Sequence, residues 1–99
     1  MADSASIDPE LTDFECDVLA MIGSLEVGEI VTYGEVAAEV GKPGAARAVG
    51  STLRRHGSGV PWWRVVAANG RLVPGNEVEH TRRLKSEGVP VKAGKVVMS

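Results

Sequence analysis

Few side chains in this sequence could carry out covalent chemistry. Cys16 is the only cysteine, and no histidine lies near it in the sequence, so nothing marks its thiol as activated. Trp62 and Trp63 stand together between Pro61 and Arg64, but an indole with one weakly acidic N–H cannot serve as a nucleophile at neutral pH. We therefore interpret Cys16 as structural and expect the chain to bind its partner without catalysing a reaction.

The charged residues are unevenly distributed along the chain. The net charge of -2 by itself argues against a nucleic-acid partner. Six acids lie among the first seventeen residues, however, and none occurs from Val40 to Asn76. That acid-free stretch carries six basic residues: Lys42, Arg47, Arg54, Arg55, Arg64 and Arg71. A chance asymmetry on a solvated surface would give the same pattern, but we interpret it as a local positive face.

The length and composition predict one small domain. Ninety-nine residues leave room for one core and one site. No apolar run approaches the roughly 20 residues of a membrane span, and the start of the chain lacks the basic and apolar segments of a signal peptide. The single cysteine excludes an internal disulfide and fits a cytoplasmic location. We expect no cofactor, no metal and no membrane partner.

The first elements predicted are a tail and an amphipathic helix. Residues 1–8 are expected to form a mobile acidic tail, and residues 9–99 a single domain. Asp8-Pro9-Glu10 is typical of a helix start, and the helix is expected to end near Gly28. Its apolar positions recur at helical spacing: Phe14, Val18, Ile22 and Leu25.

A helix-turn-helix follows. Thr32 and Glu35 have the spacing of a capping box, which predicts a short second helix from Gly34 to Val40. Pro43 suits the first turn of a third helix that runs to about Arg55. The third helix has unusually small side chains, at Ala45, Ala48, Gly50 and Ser51. Small residues permit either close packing inside the protein or the approach of something flat from outside, and the sequence alone leaves both open.

The remaining elements complete a fold of mainly helical class. Asn69-Gly70 lies between two valine-containing runs and predicts a β-hairpin there. Glu77 to Ser86 is expected to form the last helix, and Val89 to Ser99 a semi-extended tail. We therefore predict a mainly α protein with a small β-hairpin, a winged helix-turn-helix.

The order and spacing of three segments resemble the DNA-binding domain of the O6-alkylguanine-DNA alkyltransferases: Tyr33-Gly34-Glu35, Gly44–Gly50 and Val60–Val66. In that family the third segment reads Pro-Cys-His-Arg, where the cysteine accepts the alkyl group and the histidine relays its proton. Trp62 stands at the cysteine position and Trp63 at the histidine position. The chain thus resembles the alkyltransferase-like branch, which has tryptophan or alanine in place of the cysteine. Many members of that branch keep the histidine, so Trp63 is a further departure.

The resemblance also implies roles for individual residues. The tyrosine matching Tyr33 pushes on the phosphate beside the target nucleotide, and the arginine matching Arg47 fills the gap left by the flipped base. A planar cation can do so by stacking and by hydrogen-bonding the orphaned partner base. We expect His56 and Glu87 to be structural. The residues expected to contact DNA are Thr32, Tyr33, Ala46, Arg47, Gly50, Ser51, Arg54 and Arg55, and those expected to form a lesion pocket are Tyr33, Val60, Pro61, Trp62, Trp63 and Arg64.

The resemblance implies a monomer that binds O6-alkylguanine in duplex DNA, flips it out and flags it for nucleotide-excision repair proteins, in the nucleoid of a bacterium or the nucleus of a eukaryote. Two other functions stay open. One is a winged-helix transcription regulator, although the third helix offers few donors and acceptors for reading bases in the major groove. The other is an enzyme that uses Cys16 as an alkyl acceptor, far in sequence from the pocket motif.

Overall fold

Four helices and two pairs of two-residue strands succeed one another in residues 11–97, the part of the chain that this computed structural model describes. The helices are α1 Asp13–Gly23, α2 Tyr33–Glu39, α3 Ala46–His56 and α4 Glu77–Ser86. The strands are β1 Val31–Thr32, β2 Val65–Val66, β3 Val91–Lys92 and β4 Lys95–Val96, and two 3-10 turns cover Gly57–Gly59 and Trp62–Arg64. The tail predicted for residues 1–8 lies outside the described residues. Among residues 11–97, no helix has the length and apolar character needed to cross a membrane.

The first helix begins later than predicted. Leu11 and Thr12 are not helical, and Thr12 is the N-cap. Its hydroxyl oxygen accepts a hydrogen bond from the Glu15 N–H at 3.1 Å, while the Glu15 carboxylate accepts one from the Thr12 N–H at 3.0 Å. This reciprocal pair satisfies two free N–H groups and starts α1 at Asp13, whereas the predicted start motif, Asp8-Pro9-Glu10, lies outside the described residues. The helix ends at Gly23, five residues before the predicted stop at Gly28.

The helix-turn-helix is present as predicted, with one corrected boundary. The Thr32 and Glu35 capping box forms and starts α2. Gly41, with φ of 82°, ends it one residue beyond the Val40 C-cap. The start of α3 at Pro43 is wrong, because Gly44 has φ of 91° and cannot belong to a right-handed helix. Helix α3 therefore begins at Ala46.

A parallel strand pair, which the sequence did not predict, joins the two halves of the core. Val31 pairs with Val65 and Thr32 with Val66. Successive strand residues point to opposite faces, so Val65 packs among the residues of α1, α2 and α3, while Val66 packs with Leu84 and the C-terminal hairpin. Strand β2 thus holds the helix-turn-helix against the rest of the protein.

The predicted β-hairpin is confirmed as a turn but not as a pair of strands. The chain turns at Asn69-Gly70, where the Gly70 N–H donates to the Ala67 carbonyl at 2.8 Å and the Ala67 N–H donates to the Arg71 carbonyl at 3.0 Å. Within the described residues, however, β2 pairs with β1, and Arg71 forms a bridge with Lys95 instead. The hairpin is built by β3 and β4, in the segment expected to be a semi-extended tail.

The last helix has the predicted boundaries, Glu77–Ser86. Leu84 is fully buried, but Val78 is 86% exposed and contributes nothing to the core. His80 is the buried polar residue of this helix. The protein is therefore a mainly helical winged helix-turn-helix, in which the β3–β4 hairpin and the Asn69-Gly70 turn form the wing.

Candidate nucleic-acid interface

A groove of about 480 Å³ runs along the exposed face of α3, and we call it the α3 groove. Its floor is small-sided: Gly50 faces open space, with no atom within 4 Å of where a Cβ would stand. The groove is lined by Tyr33 and Gly34 from α2, by Ala46, Arg47, Gly50, Ser51 and Arg54 from α3, and by Ala67 and Ala68 after β2. The small residues of α3 therefore leave room for a ligand from outside, rather than packing against another helix on this face.

The start of α3 lies in this groove and is electropositive. Its N-cap, Ala45, has no side chain to accept a hydrogen bond, and the first turn contains no acid. The first backbone N–H groups of the helix are therefore without side-chain acceptors, and the helix dipole adds partial positive charge there. Arg47, the second residue of the helix, is exposed in the groove. An anionic backbone would find both dipolar and ionic partners at this end of α3.

A second concavity, of about 520 Å³, adjoins the α3 groove, and we call it the α3 cavity. Tyr33, Gly50 and Arg54 line both spaces, so the two lie side by side on the same face of α3. The cavity is completed by Leu53, Gly57, Ser58, Trp62, Val73, Pro74 and Asn76. Among residues 11–97, its lining contains aromatic faces, neutral hydrogen-bonding groups and one guanidinium, but no carboxylate.

Tyr33 stands at the junction of groove and cavity. It is the first residue of α2, held there by the Thr32 cap. Half-burial of the phenol raises the pKa of Tyr33, so its hydroxyl stays protonated and can donate a hydrogen bond at neutral pH. Thr32 itself uses its hydroxyl oxygen to accept from the Glu35 N–H at 3.1 Å.

The two neighbouring arginines of α3 point to different partners. Arg54 is exposed, lies within 3.3 Å of the Ser51 hydroxyl through its Nη2 and lines both groove and cavity. Arg55 instead forms an ion pair and hydrogen bond with Glu15 of α1. Arg55, predicted to contact DNA, is therefore not brought into the groove with Arg54.

Trp63 and Arg64 are directed away from the cavity, toward Glu87. The Trp63 indole N–H donates to Glu87 Oε2 at 2.7 Å, and the Arg64 guanidinium donates to both Glu87 oxygens at 2.7–3.1 Å. Arg64 also donates to the Leu25 carbonyl at 2.7 Å. The hydrogen bonds from Arg64 hold the pKa of Glu87 at about 2 against the opposing effect of burial, with smaller contributions from the Gly28 N–H, which donates to Oε1 at 2.9 Å, and from Trp63. The predicted positive face thus loses Arg64 as well as Arg55 to internal ion pairs.

Trp62 is fixed against the cavity wall by the groups behind it. Its ring meets Trp63 edge-on at 5.9 Å between centroids and His80 at 5.1 Å. The His80 Nδ1 accepts from the Val73 N–H at 3.1 Å, which leaves the ring proton on Nε2 to donate to the Trp63 carbonyl at 2.9 Å. Burial lowers the pKa of His80 and keeps the ring neutral. His80 therefore links the segment of the two tryptophans to the loop of residues 73–76, which we call the Val73 loop. Both segments line the cavity.

Trp63 lies between two guanidinium groups. The Arg83 Cζ is 4.6 Å from the centroid of the Trp63 ring and 5.8 Å from that of Trp62, and the Arg64 Cζ is 5.4 Å from Trp63. Glu79 holds Arg83 through an Nε to Oε2 contact of 2.6 Å. Both tryptophans are thus positioned by cation–π contacts, and Trp63 also by its hydrogen bond to Glu87.

Of the residues predicted to form a pocket, the structure brings only Tyr33 and Trp62 to the cavity. Val60 packs on the core beside α1, and the Pro61 carbonyl accepts from the Arg64 N–H at 3.1 Å. Sequence reasoning missed the other lining residues. Leu53 and Gly57 could have been found, because they follow Gly50 at helical spacing. No local signal places the Val73 loop there.

Cys16 lies elsewhere, exposed on α1, and does not line the groove or the cavity. Among residues 11–97, no three histidine, cysteine or carboxylate side chains come together as a metal site.

Residues 13–89 match the sequence model of the 6-O-methylguanine DNA methyltransferase DNA-binding domain, and the chain belongs to this family. Within that family, it is similar to a DNA base-flipping protein of Vibrio parahaemolyticus, at 33% identity over 89% of this chain and 93% of that protein. It is also similar to the alkyltransferase-like protein 1 of Schizosaccharomyces pombe, at 31% identity over 82% of this chain and 81% of that protein.

The fold is shared with solved structures of the same kind. The crystal structure of S. pombe Atl1 in complex with damaged DNA containing O6-carboxymethylguanine superposes with a TM-score of 0.78 and 28% identity, and it covers 90% of this chain and 91% of that one. The chain is thus close in length to these relatives. It spans only 60% of a further relative, the DNA base-flipping protein of Escherichia coli.

Proposed function

We propose that this protein binds O6-alkylguanine in duplex DNA by flipping the base into the α3 cavity, without transferring the alkyl group. The observation that carries the proposal is that the cavity lies directly beside the α3 groove and shares Tyr33, Gly50 and Arg54 with it. A duplex seated on the small-sided face of α3 could deliver an extruded base into the cavity beside it. Two proteins similar to this chain are named for base flipping and for likeness to alkyltransferases, while others are named as methylated-DNA–protein-cysteine methyltransferases.

The composition of the cavity suits a flipped alkylated base. Trp62 offers a flat apolar ring on which a base or its alkyl group can stack. Ser58, Asn76 and the Tyr33 hydroxyl offer hydrogen-bonding groups to the base edge. Arg47, in the groove outside, is placed to occupy the space that an extruded base vacates.

The absence of alkyl transfer rests on the residue types at the cavity. Trp62 occupies the position at which the family's cysteine would stand, and an indole cannot accept the alkyl group at neutral pH. Trp63, at the position of the relay histidine, has its N–H committed to Glu87. Cys16, on α1, does not line the cavity.

Flagging of the lesion for nucleotide-excision repair is the further step that we propose, because a protein that binds a lesion without repairing it leaves its removal to other proteins. The support for this step is the resemblance to the alkyltransferase-like branch. Since one chain supplies the whole groove and cavity, we propose that the protein acts as a monomer, in the compartment that holds the DNA.

Titration of two duplexes identical except for one O6-methylguanine tests the proposal. Tighter binding of the damaged duplex is expected, together with an unchanged protein mass after incubation. Equal affinity for both duplexes would favour the transcription regulator, and a gain of one methyl mass would show alkyl transfer. Cys16→Ala is the matched control, since it removes the only thiol and should leave both results unchanged.

A further inference from the structure

Three basic residues stand in adjacent register positions on the wing. Lys92 pairs directly with Lys95 across the β3–β4 hairpin, and Arg71 bridges to Lys95 on its other side. Directly opposed residues on neighbouring strands place their side chains on the same face, with Cβ atoms about 4.5–5.5 Å apart. All three are exposed. They therefore form one row of positive charge, which we call the basic ladder.

The basic ladder is costly to the isolated protein. Like charges directly opposite each other destabilise a strand pair. In residues 11–97, no carboxylate lies within 4.0 Å of a ladder nitrogen. Glu77 lines the adjoining groove of about 430 Å³ with Arg71 and Lys95, but its carboxylate accepts from the Gly75 N–H at 3.1 Å instead. An anionic ligand would relieve this repulsion.

The ladder and the α3 groove are joined by one turn. The Val96 N–H donates to the Gly70 carbonyl at 2.8 Å, which fixes the hairpin to the turn of residues 67–71. At one end of that turn, Ala67 and Ala68 line the α3 groove. At its other end, Asn69 and Arg71 line the groove beside Lys95. A ligand in the α3 groove that extends across this turn would meet the ladder.

We propose that the basic ladder is a second phosphate-binding contact, which holds the sugar-phosphate backbone of duplex DNA beyond the segment seated on α3. A row of cations without base-reading groups suits regularly spaced phosphates and carries no sequence or lesion preference. This inference rests on the proposed function, because it requires that the α3 groove holds duplex DNA. Because the turn of residues 67–71 borders both the ladder and the α3 groove, the DNA backbone is favoured over an acidic protein segment.

The salt dependence of binding tests the ladder. The Kd of a duplex of about 30 base pairs, about three helical turns, would be measured against salt, with and without O6-methylguanine. The double variant K92Q/K95Q should lower the log–log slope by about 1.8, because each lost phosphate contact removes about 0.9. The ratio of the two Kd values should stay at its wild-type value. Lys95→Arg, which keeps the charge, should retain the wild-type slope.

The control is Lys85→Gln, an exposed lysine on α4 that is outside the ladder. Thermal unfolding should show that K92Q/K95Q is at least as stable as wild type, since the replacement removes repulsion between opposed lysines. If K92Q/K95Q and Lys85→Gln have equal log–log slopes, the proposal is overturned. The ladder would then serve a partner other than DNA. Failure of the proposed function would give a different result: wild type itself would have equal Kd values for the damaged and the undamaged duplex.

Discussion

The indole N–H of Trp63 donates a hydrogen bond to the Glu87 carboxylate at 2.7 Å. A tryptophan thereby replaces the histidine expected at this position while still supplying a donor to the glutamate. Because Arg64 donates to the same carboxylate, the glutamate remains ionised and ties Trp63, Arg64 and the Leu25 carbonyl into one unit. The network thus fixes Trp63, whose ring meets Trp62 of the cavity edge-on at 5.9 Å between centroids.

The pH dependence of stability should report this network. The Arg64 hydrogen bonds hold the pKa of Glu87 at about 2, below its ordinary 4.5. Its stabilising contribution is therefore complete above pH 4.5 and is lost as the pH falls toward 2. Between pH 4.5 and 2, the free energy of unfolding of wild type should therefore fall by about 1–2 kcal/mol more than that of Glu87→Gln, once solvent screening is allowed for.

Urea unfolding at a series of pH values measures that difference, and the two free energies of unfolding should converge near the acid end. Glu39→Gln, at an exposed position of α2, is the control and should follow wild type. Parallel curves for wild type and Glu87→Gln would mean that the carboxylate contributes nothing specific.

Arg54 and Arg55 offer a matched pair on one helix. Arg54→Ala should reduce the salt slope of binding by about 0.9 for damaged and undamaged DNA alike, because it removes one phosphate contact from the α3 groove. Arg55→Ala should leave the slope at its wild-type value and lower the Tm, since buried Glu15 loses its ion-pair partner. Equal slopes for the two variants would show that the groove assignment of Arg54 is mistaken.

Local signals predicted the elements that they govern. The Thr32 and Glu35 capping box and the turn at Gly41 define α2, and both act within a few residues. Thr12 and Glu15 form a capping box of the same type, and this pair sets the start of α1. The true hairpin lacks a strong signal, because its first turn residue, Ala93, adopts φ of 54° where asparagine or glycine is usual.

Contacts between residues that are far apart in the sequence account for the features that the sequence did not predict. The β1–β2 pairing joins two-residue strands that are too short to show a period of their own. The partners of Arg55 and Arg64 lie 40 and 23 residues away in the sequence. A charge pattern can therefore predict a positive face, but it cannot show which of its arginines are neutralised within the fold.

Replacement of Arg47 should cost more binding energy than replacement of the Tyr33 hydroxyl. Arg47→Ala leaves the space of the extruded base unfilled, which should weaken binding by a few kcal/mol, the cost of unstacking. Tyr33→Phe keeps the ring and loses one hydrogen bond, worth about 0.5–1.5 kcal/mol. Kd measurements on damaged and normal duplexes compare the two, with Arg82→Ala on α4 as the arginine control. A larger loss for Tyr33→Phe would contradict the role given to Arg47.

Substitutions at Trp62 and Trp63 should have different effects, the first on lesion recognition and the second on stability. Trp62 lines the cavity, and aromatic contacts to a base are worth about 1–3 kcal/mol. Trp62→Ala should therefore reduce the ratio of the Kd values for normal and alkylated duplexes more than it weakens general DNA binding. Trp63→Phe removes the hydrogen bond to Glu87, so it should lower the Tm and leave that ratio near its wild-type value. Both ratios would be measured at one salt concentration. If Trp62→Ala leaves the ratio unchanged, Trp62 only supports the wall, and the Val73 loop becomes the next candidate for recognition of the alkyl group.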